Sequence, residues 1–536
     1  MARILRFLAL ATALTICFQA CNRIAPAPVL TDLPPWAAPT ESPIQSPTPP
    51  PIKVSKQESP ASPVPETATP EEISTPVSQL PAISRIAAPP EPRTHYALDV
   101  VLDYPAHQLS VEERITYYNS TSHELNEVLL VVEARRYPGA FQMTGLHWAD
   151  GSQASQRQWK DRYLSIFPPQ PLAPGGSLEF SISYILQPPN TSKLPQIRPY
   201  PFGYTDMQIN LSDWYPFVPP YVEGVGWLVH NPGFYGEYLV EDIADFEVSI
   251  RPLPEEAGLV IAASAPAEND AGGVHYRHLA GRGFAWSASP YYQVLTQEVE
   301  LGAGGSTRVA SYFFPAYEQA GQRVLETVSR SLALYNQIYA PYPYPMMSAV
   351  QADFLDGMEY SGLFFLSKDF YNWHKPDSQE DFLTALAAHE TAHQWWYGLV
   401  GNDPAEEPWL DEALCTYSEL LYFENYFPEA TDWWWTYRVD YYGPQGTIDL
   451  SIYDIPDESG HYRAYRDSVY LNGATFMQAF RNLIGDQAFF AAIQAYADRY
   501  AYQRANGIGF FEVFTQHSDQ DLEPLLKAYF AHPPLR

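Results

Sequence analysis

The stretch HETAHQWWYGLVGNDPAEEPWLDEALCTYSE occupies residues 389–419 of this sequence of 536 residues. It begins with His-Glu-x-x-His, and Glu412 follows His393 after eighteen intervening residues. On a helix, His389 and His393 project from one face because they are four residues apart. Two neutral imidazoles and one carboxylate are typical of a zinc site that keeps its fourth position open. We therefore predict that His389, His393 and Glu412 bind one Zn²⁺ per chain.

Helical patterns surround this ligand set. Residues 381–397 carry apolar side chains at helical spacing and contain no proline or glycine. Residues 410–427 are again typical of a helix, and Pro428 follows its end. Glu412 falls in the first turn of this second helix. The two helices can therefore bring the three ligands together.

Two further glutamates belong to the same segment. Glu390 lies beside the ligand histidines, and we predict that it acts as the general base on a water molecule in the open zinc position. Glu419 comes seven residues after Glu412 and so faces the same way. A ligand histidine usually donates its other ring N–H to a carboxylate or a carbonyl. We predict this role for Glu419; the alternative is a solvated surface glutamate.

A family resemblance follows from these motifs. HETAHQWW, its spacing to WLDEALCTYSE, and the segment LDGMEYSG at residues 355–362 resemble the aminopeptidase N (membrane alanyl aminopeptidase) family of gluzincin zinc peptidases. The resemblance extends from about His95 to the C-terminus. It implies the same zinc ligands and the same general base. It also implies a multidomain α+β fold, in which a saddle-like antiparallel β domain precedes a thermolysin-like α+β peptidase domain.

The resemblance assigns a candidate oxyanion donor. In the family this donor is a tyrosine of a Tyr-x-x-Gly segment beyond the glutamate ligand, and Tyr470 and Gly473 of YLNGATFMQAF match it. Tyr465 is a nearby second candidate. The chain contains 39 tyrosines, so an ordinary packing tyrosine is the alternative for either residue.

The resemblance also assigns a substrate-binding segment. Family members carry Gly-x-Met-Glu-Asn on an edge strand, and its glutamate binds the free α-amino group of the substrate. Here Gly357, Met358 and Glu359 fall in that segment, and we predict that Glu359 binds the amine. Asp356 replaces the first glycine of the family motif, and Tyr360 replaces the asparagine.

These assignments predict a zinc metallopeptidase, specifically an aminopeptidase that removes N-terminal residues by attack of zinc-bound water. Its partners would be peptide or protein substrates with a free N-terminus. Two alternatives stay open at this point. One is a zinc endopeptidase of thermolysin type, and the other is a non-catalytic surface binding module that keeps the fold.

Charge and cysteine content limit the other partners. The formal net charge is −31, which argues against nucleic acid and anionic lipid surfaces as binding partners. The sequence has three cysteines, and two of them, Cys17 and Cys21, belong to the N-terminal leader. Cys415 follows a predicted zinc ligand and is interpreted as a small packing residue. A disulfide framework is therefore not expected.

The N-terminus predicts export. Residues 1–21 begin with a positive region at Arg3 and Arg6 and continue with an apolar run, as in a bacterial secretory signal. Phe18-Gln19-Ala20-Cys21 is an imperfect lipobox, so we predict a lipoprotein acylated at Cys21 and held at the cell surface or in the periplasm. Plain signal cleavage and an uncleaved anchor are the alternatives. Membrane contact would occur only through this lipid anchor or leader.

The remaining chain divides by composition. Residues 22–93 contain 19 prolines and no glycine, which predicts a disordered linker. Short alternating runs then predict a β domain at 94–302, and longer helical patterns predict the peptidase domain at 303–536. Too few residues follow Tyr470 for the large helical C-terminal domain of many relatives, so we expect an open cleft. We expect a monomer. Trp433, Trp434 and Trp435 either pack or line an apolar substrate pocket.

Overall fold

The computed structural model describes residues 85–253, 258–270, 273–302, 305–455 and 462–534. These residues all fall in one compact unit, Glu71–Arg536. The predicted leader, its Cys21 and residues 22–84 of the predicted linker lie outside the described residues. Within the described ranges, every helix is too short or too polar to cross a lipid bilayer.

The first part of the described chain is rich in β-structure. Its strands are short and are separated by turns, as the alternating sequence pattern predicts. They are β1 Thr94–Asp103, β2 Gln108–Tyr118, β3 Val128–Val131, β4 Phe141–Trp148, β5 Arg157–Lys160, β6 Tyr163–Ile166, β7 Ser177–Leu186, β8 Gly203–Tyr204, β9 Ile209–Leu211, β10 Tyr221–Val222, β11 Gly226–Trp227, β12 Ala244–Leu253, β13 Val260–Ala263, β14 Ala267–Asp270, β15 Gly273–Gly281 and β16 Trp286–Ser289.

The main sheet of this part has seven strands in the order β14-β15-β12-β1-β2-β7-β4. Alternate residues of β1 and β2 are buried, because successive side chains point to opposite faces of a strand. Neighbouring strands run antiparallel except β1 and β12, which pair in parallel. The prediction of an antiparallel domain is therefore wrong for this pair. Parallel neighbours require a crossover connection, and the strands between β1 and β12 supply it.

A second, five-stranded sheet has the order β17-β18-β19-β21-β20. The short strand β20 therefore lies at its edge, and it carries the predicted substrate-binding segment. The first strand, β17, comes before the domain boundary predicted at residue 302, yet it pairs along its length with β18. The sheet thus begins earlier than that boundary. Its strands are β17 Gln293–Glu300, β18 Ser306–Phe313, β19 Met346–Ala352, β20 Gly357–Tyr360 and β21 Leu363–Ser367.

Helices dominate the rest of the described chain. The longest buries Val328, Leu332 and Tyr335, as the helical spacing predicts. The α-helices are α1 Glu318–Ile338, α2 Lys368–Trp373, α3 Phe382–Ala392, α4 Trp409–Tyr426, α5 Gly473–Ile484, α6 Asp486–Arg499, α7 Gly507–Thr515 and α8 Glu523–Tyr529. Two π-helical segments, Trp434–Val439 and Arg466–Asn472, follow the short helical turns Thr431–Trp433 and Tyr462–Tyr465. Single 3₁₀ turns are Glu133–Arg136, Thr191–Lys193, Pro315–Tyr317, Pro428–Ala430, Asp440–Tyr442 and Ile452–Asp454.

The order of a β-rich part followed by an α+β part is confirmed. A large apolar cluster joins α1, α3 and α4 to the later helices, and a separate cluster fills the β-rich part. The saddle shape, the lack of a large C-terminal helical domain and the domain boundaries stay predictions. Helices α3 and α4 pack against each other at the centre of the larger cluster and bear the predicted zinc ligands.

Candidate active site

Three predicted ligands converge between α3 and α4. His389 lies in the last turn of α3, and His393 is the residue at its C-terminal cap. Glu412 lies in the first turn of α4. Its Oε2 atom is 3.2 Å from Nε2 of His389 and 3.6 Å from Nε2 of His393. The three side chains are each at most 3 % exposed, so the ligand atoms meet in a site almost free of competing solvent.

Neighbouring groups assign the histidine tautomers. Nδ1 of His389 lies 3.0 Å from Oε1 of Glu419, and Nδ1 of His393 lies 3.1 Å from the carbonyl oxygen of Trp396. Both partners are acceptors, so each Nδ1 carries the ring hydrogen and donates it. In the neutral ring, each histidine then carries its lone pair on Nε2, which lies toward Glu412. The two lone pairs and the carboxylate fit the ligand chemistry of Zn²⁺, with N and O donors and only three protein ligands.

Glu419 is a buried acceptor rather than a solvated surface residue. Its Oε1 accepts from Nη2 of Arg438 at 2.8 Å in addition to His389. Its Oε2 accepts from Nε of Arg438 and from the indole N–H of Trp434, each at 2.9 Å. Burial raises the pKa of the Glu419 carboxyl, but the charge of Arg438 and the bond from His389 outweigh burial and leave the pKa below its usual value.

Glu390 points at the edge strand. It is 5 % exposed, and its Oε2 atom has no hydrogen-bond partner among the described residues. Burial raises its pKa to about 8, although the neighbouring histidines lower it. A β-carbon built on Gly357 would lie 1.9 Å from Oε1 of Glu390. Only glycine at residue 357 therefore leaves room for this carboxylate.

Tyr470 reaches the ligand carboxylate from the far side. Its hydroxyl donates to Oε1 of Glu412 at 2.6 Å, and its ring is stacked on His389 with centroids 6.0 Å apart. The residue lies within the π-helical segment Arg466–Asn472, immediately before α5. Tyr465, the second candidate, is buried and contacts Tyr470 edge-on at 5.7 Å. The Tyr470 hydroxyl therefore bonds a predicted zinc ligand, whereas the Tyr465 hydroxyl has no hydrogen-bond partner among the described residues.

Gln394, which follows the predicted ligand His393 just beyond the end of α3, holds the edge strand β20 in place. The side chain of Gln394 accepts from the backbone N–H of Gly362 at 2.8 Å and donates to the carbonyl of Tyr360 at 3.0 Å. Glu359 consequently lies with its Oε1 3.9 Å from Nδ1 of His393. Met358 is half-buried and packs against the apolar cluster that contains Phe365.

The two departures from the family motif have structural explanations. Asp356 has a φ of +66°, in the left-handed region that glycine adopts freely and that aspartate tolerates better than most residues. Its Oδ2 accepts from the hydroxyl of Tyr462 at 2.9 Å. Tyr360 is buried, and its hydroxyl lies 3.4 Å from Oδ2 of Asp213 in the β-rich part.

A residue that the sequence did not indicate also enters the site. Carboxylate oxygens of Glu237, Glu359 and Glu412 lie within 4.8 Å of one another. Glu237 belongs to the segment between β11 and β12. This segment passes close to the later, helical part of the chain, because a β-carbon on Gly236 would lie 2.5 Å from Ile452. Burial and the negative charges of Glu359 and Glu412 raise the pKa of Glu237 well above its usual value. No motif marks Glu237, and only the fold brings it here.

Comparisons with known proteins agree with this geometry. The family model described as Peptidase family M1 domain matches residues 323–529. Aminopeptidase M1-A of Oryza sativa subsp. japonica is 25% identical over 244 residues, which cover 43% of this chain and 27% of that relative. Aminopeptidase N of Lactobacillus delbrueckii subsp. lactis is 23% identical over 310 residues, which cover 54% of this chain and 36% of that relative. The matches thus span about a third or less of either relative.

Solved structures share the fold over a larger range. The M1 zinc metallopeptidase from Deinococcus radiodurans has a TM-score of 0.60 at 17% identity, and the match covers 85% of this chain and 96% of that one. A two-domain M1 zinc metallopeptidase variant bound to L-tryptophan gives a TM-score of 0.59, with 85% and 98% covered. At this identity the likeness concerns the fold. Residues 323–529 therefore match the Peptidase family M1 domain, and the chain resembles the aminopeptidase N family of gluzincin zinc metallopeptidases.

Proposed function

We propose that this chain is a zinc-dependent aminopeptidase that hydrolyses the first peptide bond of peptides or proteins with a free N-terminus. The observation that carries the proposal is the convergence of Glu237 and Glu359 beside the predicted metal ligands. Two carboxylates so close together, with Glu359 buried and Glu237 half-buried, repel each other unless a proton or a cation lies between them. A substrate ammonium group would supply that cation. The names of the relatives, which are aminopeptidases, support the same reaction.

The placement of the acidic pair explains why cleavage would be restricted to the chain end. Glu359 is held at a fixed distance from His393 because Gln394 ties β20 to α3. An ammonium bound by Glu359 and Glu237 would therefore set which peptide bond reaches the metal ligands. An acylated N-terminus has no charge to place there, and binding it would leave both carboxylates without a partner.

Five side chains of this site would then take part in the chemistry. When bound by His389, His393 and Glu412, zinc supplies Lewis-acid polarisation of the scissile carbonyl and of a water molecule. Glu390 would accept the proton of the attacking water and return it to the leaving amine. The hydroxyl of Tyr470, beside Glu412, would donate to the developing oxyanion, a contact typically worth about 3 kcal/mol.

Paired substrates test the proposal. One peptide series is offered with free and with N-acetylated N-termini, at matched sequence and in the presence of zinc. We expect turnover of the free peptides from the N-terminus and a loss of at least about 100-fold in kcat/KM on acetylation, equivalent to about 3 kcal/mol. Equal cleavage of both forms would instead indicate the thermolysin-type endopeptidase. Zinc binding without turnover of either form would indicate the non-catalytic binding module.

The cellular location is a separate proposal that the sequence alone supports. We propose that the chain is exported from a bacterial cell and anchored through an acylated Cys21, since residues 1–21 combine a positive start, an apolar run and Ala20 before the cysteine. Labelling with a fatty-acid analogue should mark the full-length chain and not Cys21→Ser. Equal labelling of both would exclude Cys21 as the anchor. We also propose a monomer, which sedimentation of the full chain tests directly.

A further inference from the structure

We infer that Arg438, together with Trp434, is a positioning residue that sets zinc affinity through Glu419 and His389. The inference rests on the zinc site of the proposed function. Neither side chain reaches the ligand atoms themselves. Both act on the carboxylate that receives the ring hydrogen of His389, so their effect on the metal is relayed through two hydrogen bonds in series.

Each carboxylate oxygen of Glu419 accepts two hydrogen bonds. Arg438 binds both carboxylate oxygens, with Nε on Oε2 at 2.9 Å and Nη2 on Oε1 at 2.8 Å. The indole of Trp434 adds a third donor on Oε2, and His389 adds the fourth on Oε1. Such a two-point pair of guanidinium and carboxylate fixes the plane as well as the position of the carboxylate. The direction of the hydrogen bond from His389 is thereby fixed too.

Burial makes this arrangement strongly dependent on Arg438. Glu419 is 0% exposed, Trp434 is 0% exposed and Arg438 is 5% exposed. A charge taken out of water is costly unless a counter-charge and hydrogen bonds replace its hydration. Glu419 receives its counter-charge from Arg438. Removing the guanidinium would leave a buried carboxylate whose only remaining donors are neutral, and the carboxylate would be free to turn away from His389.

The backbone conformation around Trp434 and Arg438 also supports a positioning role for these two residues. Trp434 and Arg438 begin and nearly end the π-helical segment Trp434–Val439, and both side chains reach the same carboxylate from it. Single π-helical turns are rare in proteins and occur frequently at functional sites. Tyr437, which lies between the two donors in the sequence of this segment, is exposed. The segment thus directs its two donors inward to one acceptor of the metal centre.

Zinc affinity is the measurement that separates positioning from ordinary stabilisation. The full chain is stripped of metal, and its zinc Kd is measured by competition with a chromophoric chelator at fixed pH, with a thermal melt of each metal-free variant. We expect Arg438→Met to weaken zinc binding by about 10- to 100-fold, as other losses of outer-shell partners do. Trp434→Phe keeps an aromatic ring, although a smaller one, and loses one donor, so it should weaken binding less. Arg438→Lys keeps the positive charge but loses the two-point contact of the guanidinium group. Its zinc Kd should therefore lie between those of Arg438→Met and wild type.

Arg481→Met is the matched control. Arg481 is similarly buried, at 7% exposure, and binds both oxygens of Asp486 through Nε and Nη2 at 2.9 and 3.1 Å. It makes no contact with Glu419 or the ligand histidines among its hydrogen bonds to described residues. Its loss should lower the melting temperature and leave the zinc Kd within about twofold of wild type.

The outcomes are distinct from those of the proposed function. If Arg438→Met melts lower but its zinc Kd stays within about twofold of wild type, the residue is only structural and the inference is overturned. If that variant does not fold, Trp434→Phe and Arg438→Lys decide by the same criterion. Failure of the wild-type chain to bind zinc would overturn the proposed function and this inference together, whereas unchanged binding in every variant overturns the inference alone.

Discussion

The carboxylate of Glu390 occupies the space that a side chain at Gly357 would need, with Oε1 1.9 Å from the position of a β-carbon there. The edge strand and the zinc-ligand helix therefore touch through a glycine and the predicted general base. Gly357 does not adopt a left-handed backbone, so the requirement for glycine is one of space alone. This contact fixes where the base lies relative to the strand that would hold the substrate.

Gly357→Ala should displace Glu390 while leaving the metal ligands in place. We expect kcat to fall by about 100-fold or more, because displacements of about 1 Å at a reacting group have effects of that size. Zinc content should remain that of wild type. Gly145→Ala is the control, since it adds the same methyl group in β4, where the nearest atoms are the ends of His147 and Ser183 side chains at 3.1 and 3.3 Å. Normal kcat in Gly357→Ala would show that this contact does not position the base.

Glu390→Gln separates metal binding from proton transfer. The amide keeps the shape of the side chain and cannot accept the proton, so we expect kcat to fall by about 100- to 10,000-fold. The zinc Kd should change little, because Glu390 is not one of the three ligands. Steady-state kinetics and metal analysis on the same preparation check both points. Retained turnover would remove Glu390 from the role of general base.

Glu237→Gln and Glu359→Gln should each weaken recognition of a free N-terminus. A hydrogen bond to a charged group is typically worth about 1.5–3 kcal/mol, so kcat/KM for free peptides should fall by about 10- to 100-fold. The penalty for N-acetylation should shrink in parallel. Glu406→Gln, on the exposed part of the loop before α4, is the control and should behave as wild type. An unchanged acetylation penalty in Glu237→Gln would exclude Glu237 from the amine site.

The convergence of the predicted ligands could be inferred from the sequence because all of them lie on or at the end of two neighbouring helices. Helical periodicity determines that His389 and His393 share a face, and the spacing of Glu412 and Glu419 follows from the same rule. The helix bounds were less accurate. The predicted helix at residues 381–397 ends at Ala392, because the chain there turns toward the loop that leads to α4.

Contacts between distant segments could not be predicted in the same way. Glu237 reaches the site from the segment before β12, and its neighbours Gly236 and Tyr238 carry no local signal for that position. Trp434 packs in the core, as one of its two predicted roles requires, but the sequence did not indicate that its indole N–H also binds Glu419. The π-helical register that allows this contact depends on tertiary packing rather than on local propensity. The same holds for the parallel pairing of β1 with β12.

Glu113 should make the stability of the β-rich part depend on pH. It lies on the buried face of β2 between Leu98 and Ile182 and is 1% exposed. Burial raises its pKa well above the usual value of 4.5, and the Tyr184 hydroxyl offsets only part of this. The folded state therefore holds a proton that the unfolded state releases above about pH 4.5. Stability contributed by this group is complete below that pH and is lost as the pH rises toward the folded-state pKa.

Chemical denaturation from pH 5 to pH 9 checks the predicted fall in stability with rising pH. Relative to Glu113→Gln, the free energy of unfolding of wild type should fall with a slope approaching about 1.4 kcal/mol per pH unit. Glu179→Gln, on the exposed side of β7, should follow wild type. Parallel pH curves for wild type and Glu113→Gln would mean that Glu113 ionises normally in the fold.

Titration of the metal-free chain with zinc tests the central claim most directly. Hydrolysis of a fluorogenic aminoacyl substrate is followed together with bound metal, in wild type and in His393→Ala. The account predicts that activity rises linearly and stops at about one zinc per chain, with little activity or tight binding in His393→Ala. Activity that is the same with and without zinc, or a folded wild-type chain that takes up none, would contradict it.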